Sequence, residues 1–221
     1  MGKSPAMLTQ FLNISGESIR KAAAAIQSGG LVVYPTDTVY GLGCNPFDEK
    51  AVNMVSTVKG RSKGLFPVLV DTLSRARELG DIGGDVETLA LRYWPGPLTI
   101  VVASQAKLPF QVTGLEKMVG LRIPSRRDTL DLISKTGGSL LGTSANISGG
   151  PSLTKAEDAF KVFDGKVEIV LNGGITSTGL ESTVVKQTES GIQVLREGAI
   201  GSRDIRRVLP SNVELRNDQA C

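Results

Sequence analysis

Short apolar runs that stop abruptly at proline or at a polar turn recur along this chain, and helix-forming stretches lie between them. Leu31-Val32-Val33-Tyr34 ends at Pro35, Pro67 to Val70 is a second run, and Leu98 to Ala103 is rich in β-branched residues. Val119 to Ile123, closed by Pro124, and Val167 to Leu171 complete the set. Each reads as a strand. Between them, Ser15 is placed to cap a helix that runs to Ser28, favoured by Ala22 to Ala25 and ended by Gly29-Gly30. Asp48 caps a second helix with Val52, Val55 and Val58 on its apolar side, and its C-terminal end delivers Lys59 and Arg61. Helices are expected over Thr72–Leu79 and over Asp85–Tyr93, the latter stopped by Trp94-Pro95-Gly96-Pro97. Another runs from an Asp128 cap to Thr136. Thr154-Lys155-Ala156-Glu157 has capping-box spacing and opens a helix to Phe163. Thr183–Lys186 and Ile192–Arg196 read as a hairpin, and Ser202 caps a last short helix ending near Pro210. Alternating helices and strands with a hairpin specify one α/β domain built on a twisted mixed sheet flanked by helices. The expected division is an N-terminal extension over 1–14, the domain over 15–208, and a polar, frayed tail over 209–221.

The 221 residues are 40% hydrophobic, enough for a sizeable core, and a mean hydropathy of +0.02 argues against disorder. No apolar run approaches the ~18 residues of a membrane span. No apolar stretch follows Met1-Gly2-Lys3-Ser4-Pro5, so no secretory signal and no membrane association are expected. Ala6 stands where a myristoylation signal needs Ser or Thr. Cys44 and Cys221 are the two cysteines, and a reducing cytoplasm without a disulfide fits them. Cys44 reads either as a small buried hydrophobe or as a reactive thiol.

Histidine is absent. That removes Ser-His-Asp and Cys-His nucleophiles and His-ligated zinc, and two distant cysteines make no zinc site. Catalysis has to rest on Lys, Arg, hydroxyls, carboxylates, backbone amides or a bound ion. The net charge of +3 is mild, so local density matters more. Arg122, Arg126 and Arg127 follow a strand and face a candidate site. Arg203, Arg206 and Arg207 fit a solvated helix face.

Three segments carry chemistry. Lys59-Gly60-Arg61, with Lys63 following, sets cations around a glycine that lets backbone approach an anion; the same run also suits plain solvated surface. Gly142 to Ser152 packs hydroxyl and amide side chains among glycines and suits phosphate or ribose oxygens, or simply a turn. Thr36 and Thr38 follow a strand end, where ligands of α/β sheets bind. Exposed side chains converging from these loops are the expectation. There is neither a Walker A loop nor a G-x-G-x-x-G after a strand. Arg196 has Glu197 as a ready local partner.

Taken in order, Pro35 to Gly43, Lys59-x-Arg61, Tyr93 to Thr99, Gly120 to Pro124, Ser144-Ala145-Asn146, Gly179 to Val185 and Leu195-Arg196-x-Gly198-Ala199-Ile200 resemble the YrdC family of L-threonylcarbamoyladenylate synthases. Each motif alone is ordinary; seven in register over residues 15 to 208 are specific. The resemblance implies a YrdC/RibB-like fold with a large, positively lined concave cavity. It implies a nucleotidyltransfer in which L-threonine, bicarbonate or carbon dioxide, and ATP with Mg²⁺ give threonylcarbamoyl-adenylate and pyrophosphate. The product would pass to a tRNA threonylcarbamoyl-transferase complex for modification of the adenosine beside the anticodon.

By the same resemblance, Lys59, Arg61, Ser144 and Asn146 hold the nucleotide phosphates, Lys59 and Arg61 act in catalysis, and Ser152, Arg196 and Lys63 add contacts on the ATP side. Thr36, Arg122 and Ser182 surround the threonine, with Arg122 receiving its carboxylate. The chain departs from many relatives at Glu197, where they carry Pro, and at Asp71, where they place a His. Longer relatives append a second domain that a chain of this length is not expected to hold. The competing reading is a non-catalytic module that binds tRNA or double-stranded RNA through phosphates. A carbamoyl-transfer module of the hydrogenase-maturation type is a minor third.

Overall fold

In the computed structural model, which describes residues 8–60 and 65–217, the strands divide between two mixed sheets. The five-stranded sheet has the order β1 (Gln10–Asn13), β9 (Ile169–Asn172), β2 (Val32–Tyr34), β3 (Gly41–Gly43) and β8 (Thr143–Ser144). The seven-stranded sheet has the order β12 (Glu214–Asn217), β11 (Gly191–Arg196), β10 (Thr183–Thr188), β5 (Leu98–Ala103), β6 (Met118–Arg122), β4 (Val68–Val70) and β7 (Ser139–Leu141). β10 and β11 form the expected antiparallel hairpin, while β10 lies parallel to β5. Both sheets therefore mix parallel and antiparallel pairs, as alternating helices with an inserted hairpin require.

Helix α1 (Gly16–Gln27) begins where the sequence places it. Ser15 Oγ accepts from Ser18 N–H at 3.1 Å and Ser18 Oγ accepts from Ser15 N–H at 2.8 Å, a capping box with serine in both roles. Its apolar face buries Ile19, Ala22, Ala23 and Ile26 against the five-stranded sheet and against Leu132 and Ile133 of α6 (Arg127–Lys135). Each buried isoleucine contributes about 1.5–3 kcal/mol. Helix α2 (Glu49–Lys59) is capped by Asp48, which accepts from Lys50 and Ala51 N–H, and it buries Ala51, Val52 and Val55 in the main core. Helices α3 (Leu73–Leu79) and α4 (Gly84–Tyr93) also stand where expected, and the Trp94-Pro95 peptide that follows is cis.

Three caps are not as expected. Asp128 lies inside the first turn of α6 and accepts from the Arg126 guanidinium instead of capping. Thr154 and Glu157 form no capping box: Lys155 is the cap of α7 (Ala156–Phe163), and the Thr154 carbonyl is taken by Thr176 N–H. Ser202 is the first residue of α8 (Ser202–Val208) and donates to Glu197. Four elements were not expected: the glycine strand β3, the single turn α5 (Phe110–Thr113), β1 in the expected N-terminal extension, and β12, which pairs in parallel with β11 where a frayed tail was expected. At the other end, β1 pairs with β9, so residues 10–13 are part of the sheet.

β3 exists because its glycines make room. A Cβ at Gly41 or Gly43 would stand 2.9 Å from the Tyr34 ring, and one at Gly43 would stand 2.1 Å from the Leu141 carbonyl oxygen. The same place joins the sheets. Leu141 N–H donates to the Cys44 carbonyl at 3.0 Å, Gly142 N–H donates to the Pro67 carbonyl at 2.9 Å, and Tyr34 Oη donates to the Leu141 carbonyl at 3.0 Å. The chain leaves the seven-stranded sheet at Leu141 and enters the five-stranded one at Thr143. A cavity opens between the sheets in front of this crossing.

Gly43→Ala should lower stability by about 1–3 kcal/mol, because the new methyl meets backbone that cannot turn aside. Gly16→Ala, with its nearest neighbour atom at 3.6 Å, should stay within ~0.5 kcal/mol of the parent. Urea unfolding of the two variants checks this, and equal stabilities would refute the close joint. Cys44 is fully buried, and burial followed by the charge of Asp48 pushes its thiol up to about 12. The thiolate that reacts is therefore rare at about pH 8. In a Cys221→Ser background, Ellman's reagent should leave Cys44 unlabelled in the native protein and label it promptly in denaturant; fast native labelling contradicts the buried reading.

Candidate functional site

The cavity has a volume of about 820 Å³, within the range of small-molecule sites, and its wall draws on both sheets. On the inner side the chain leaves β2 at Tyr34 and makes a tight turn. Thr36 Oγ1 donates to the Val39 carbonyl at 2.6 Å and accepts from Thr38 N–H at 3.1 Å and Val39 N–H at 3.2 Å. This hydroxyl-centred turn holds Thr36 and Thr38 in the wall, 4% and 1% exposed. The expectation of exposed threonines is corrected: they are buried wall residues, the Thr36 hydroxyl engaged in the turn and the Thr38 hydroxyl bonded to Thr36 and to Arg122.

Arg122 arrives at the end of β6 and is 5% exposed. Its Nη2 donates to Asp37 Oδ1 at 2.6 Å, Nη1 to Thr38 Oγ1 at 3.1 Å and Nε to the Gly96 carbonyl at 2.9 Å. Three acceptors from two segments thus fix the plane of one guanidinium in the cavity wall. Asp37 is buried as well, and its Oδ2 has no partner among the described residues, so Arg122 is what makes this carboxylate tolerable. Nearby, Ser182 Oγ and Thr99 Oγ1 share a hydrogen bond of 2.8 Å, both in the wall.

A second group gathers beside the first. Lys59 ends α2, and Gly60, at φ +60°, turns the chain away in a conformation that glycine adopts freely. Lys59 is only 2% exposed, so the expected exposed cation is a buried one. Its Nζ donates to the Ser144 carbonyl at 2.6 Å, the Asn146 carbonyl at 2.9 Å and Asn146 Oδ1 at 3.0 Å. Ser144 Oγ donates to the same Asn146 Oδ1 at 2.7 Å. The ammonium therefore shapes the Ser144–Asn146 loop from beneath. Of these three residues, Ser144 faces the cavity.

Arg196, at the end of β11, donates from Nη2 to the Ser182 carbonyl at 2.8 Å and pairs with Glu181 rather than with Glu197. Glu197 instead accepts from Ser202, because the strand turns it toward the start of α8. Glu181 also accepts from Ser152. Burial pushes the Glu181 carboxyl up, but Ser152, Arg196, Ser144 and Lys59 together outweigh it and hold the group below the ordinary carboxylate range. It is ionised at neutral pH.

The structure thus brings Thr36, Arg122, Ser144, Ser182 and Arg196 onto one cavity, with Lys59, Asn146 and Ser152 bonded directly to its wall or its loops. Arg61 and Lys63 lie outside the described residues. Three cations line the described wall, and each is paired. Arg122, Arg196 and Lys186 are each matched by a carboxylate, from Asp37, Glu181 and Glu116 respectively. Sequence reasoning assigned no role to Asp37, Glu181 or Thr99. Asp37 sits inside a quoted motif, but its partner is eighty-five residues away, and nothing local signals the pairing. Toward one rim the wall turns apolar, with Leu65, Phe110, Leu115 and Met118.

The family model described as "Telomere recombination" (Sua5_yciO_yrdC) matches residues 24–198. A threonylcarbamoyl-AMP synthase of Pyrococcus abyssi is 39% identical over 197 residues, covering 86% of this chain and 57% of that protein. One of Bacillus subtilis is 35% identical over 206 residues, covering 91% and 59%. The chain therefore spans less than two thirds of the length of these two relatives. A Pseudomonas savastanoi pv. phaseolicola enzyme of the same name is 33% identical, covering 84% of this chain and 100% of that protein. Among solved structures, P. abyssi Sua5 complexed with L-threonine superposes with a TM-score of 0.88 at 37% identity, over 94% of this chain and 62% of that one. E. coli YciO, at 23% identity and a TM-score of 0.83, shares the fold over 90% of this chain and 100% of its own. By family match, by sequence identity and by fold, this chain belongs to the Sua5/YciO/YrdC family.

Proposed function

We propose that the protein is an L-threonylcarbamoyladenylate synthase, a nucleotidyltransferase that makes threonylcarbamoyl-adenylate and pyrophosphate from L-threonine, bicarbonate and ATP. The observation that carries this reading is the convergence of Thr36, Arg122 and Ser182 with Ser144 and Arg196 on one cavity of about 820 Å³. Guanidiniums and hydroxyls from separate elements, held by buried partners, suit an amino acid beside a nucleotide. The relatives named above carry the same activity in their names, and one was crystallised with L-threonine.

In this reading Arg122 receives the threonine carboxylate. Three of its N–H groups are used by Asp37, Thr38 and Gly96, and a guanidinium carries five. Thr36 and Ser182 stand beside it. The threonine amine attacks carbon dioxide released from bicarbonate, loses a proton and becomes a carbamate. A carbamate oxygen then attacks the α-phosphorus, the bond to the bridging oxygen breaks, and pyrophosphate leaves. No enzyme nucleophile is needed, which suits a chain without histidine. Positioning and charge neutralisation supply the rate.

On the nucleotide side, Ser144, Asn146, Ser152 and Arg196 contact the phosphates, and buried Lys59 holds their loop while adding its charge from below. Arg61 and Lys63 join them. Lys59, which bonds to cavity-lining Ser144, and Leu65, which lines the cavity, bracket that segment. Magnesium would arrive with the triphosphate, since among the described residues no cluster of three or more acidic, cysteine or histidine side chains is placed to hold an ion. Delivery of the product to a tRNA threonylcarbamoyl-transferase complex in the cytoplasm completes the reading. Convergence onto one cavity, rather than along a tract that could follow a phosphate backbone, argues against the RNA-binding alternative.

Purified protein should release pyrophosphate from ATP only when both threonine and bicarbonate are present; release independent of threonine would sink the proposal. Arg61→Ala should lower kcat/KM for ATP by roughly 10²–10³-fold, or about 2.7–4 kcal/mol, while preserving the far-UV circular dichroism. Serine in place of threonine loses one methyl and should cost about 1 kcal/mol in kcat/KM, read from the same assay.

A further inference from the structure

Glu181 is a carboxylate standing where the synthase reading needs phosphate. Its oxygens are held by Ser152 and by the Arg196 guanidinium, with Ser144 and the Lys59 ammonium close by. These are the groups assigned above to the nucleotide. The three carboxylates that balance the described wall differ in placement. Asp37 is buried behind Arg122 and does not line the cavity. Glu116 pairs with Lys186 among the apolar residues of the rim. Glu181 lines the cavity and binds both a cation and a hydroxyl of the phosphate side.

We propose that Glu181 is an internal counter-anion. It occupies Arg196 and Ser152 in the empty site, yields them to the triphosphate, and returns to them as pyrophosphate leaves. The proposal rests on the synthase reading and adds to it a residue that sets nucleotide and pyrophosphate affinity. Carboxylate and phosphate oxygens are equivalent acceptors for a guanidinium, so the two compete for one fork. Without a competitor, a cluster built from Lys59 and Arg196 would retain pyrophosphate and slow turnover. The exchange needs only side-chain rotation. The Glu181 side chain is 29% exposed, whereas its backbone is fixed: its carbonyl accepts from Ala199 N–H at 3.0 Å. Gly198 lies so close that an added Cβ would stand 2.3 Å from that carbonyl oxygen.

The test is calorimetric titration of the full chain with inorganic pyrophosphate and with ATP, using the parent, Glu181→Gln, Glu181→Ala and Glu181→Asp, alongside steady-state kinetics. Glu181→Gln and Glu181→Ala should bind pyrophosphate at least roughly tenfold more tightly. They should show a lower KM for ATP, stronger inhibition by pyrophosphate and an unchanged KM for threonine. Glu181→Asp, which keeps the charge, should stay near the parent and serves if the neutral variants do not fold. A purely structural role in holding Arg196 predicts the opposite sign, weaker pyrophosphate binding, and that result overturns the inference. Unchanged affinity in a parent that makes the adenylate overturns the inference alone. A parent that neither binds ATP nor releases pyrophosphate overturns the synthase reading and the inference together.

Discussion

One short crossing, Leu141 to Thr143, belongs to both sheets, and the cavity exists because of it. Leu141 gives its N–H to Cys44 on the five-stranded side, while the next residue, Gly142, gives its N–H to Pro67 on the seven-stranded side. Two hydrogen bonds from adjacent residues thus fix the distance and angle between the sheets. Backbone has to pass at van der Waals range, which is why Gly43 faces the Leu141 carbonyl with no space for a Cβ. The Tyr34 ring lies across the joint and gives its hydroxyl to the same carbonyl. With the sheets held at one edge in this way, their strand ends diverge and leave a hollow lined by Thr36 and Ser144 from one sheet and Thr99, Arg122, Ser182 and Arg196 from the other.

Charge placement follows from that geometry. A guanidinium brought into a buried wall must be compensated, and desolvation makes an unpaired one costly by several kcal/mol. Arg122 and Asp37 neutralise each other at the junction of β6 and the turn after β2, so each secures the other's segment. Lys59 donates its ammonium to two carbonyls and an amide oxygen, and its charge also helps hold Glu181 ionised. Arg122 keeps a rigid orientation set by a charged partner, while Lys59 shapes the Ser144–Asn146 loop from beneath.

Much of the frame was legible in the sequence because its signals are local. The Ser15 and Asp48 caps, the apolar runs of β2, β4, β5 and β6, and the β10–β11 hairpin each depend on residues within a few positions of one another. What was illegible depends on exact backbone geometry or on distant partners. Asp128, Thr154 and Ser202 look like caps, yet none of them holds the cap position and no side-chain cap bond forms at any of the three helices. β3 is a strand of glycines that propensity argues against, and it forms because Tyr34 needs the space. β12 is polar enough to resemble a tail, and pairing with β11 orders it. The candidate site residues were legible as motifs, but their environments were not. Nothing near Arg196 in sequence distinguishes Glu181 from Glu197 as its partner, and fifteen residues of hairpin separate the true pair.

The pairing of wall cations also bears on the proposed chemistry. A cavity with a large uncompensated positive charge would hold polyanions well and release them badly, whereas the proposed reaction has to let pyrophosphate go once per cycle. Among the cations that line the described wall, Arg122, Lys186 and Arg196 each carry their own carboxylate. In the proposed exchange, selective binding depends on geometry: a ligand has to offer oxygens that replace Glu181 at Arg196 and Ser152 while meeting the hydroxyl of Ser144. Stray anions that satisfy one of these contacts gain little, because they must displace an internal partner of equal quality. A triphosphate that satisfies several contacts at once gains from all of them after a single displacement, and that asymmetry favours the nucleotide over smaller anions without a strongly basic surface.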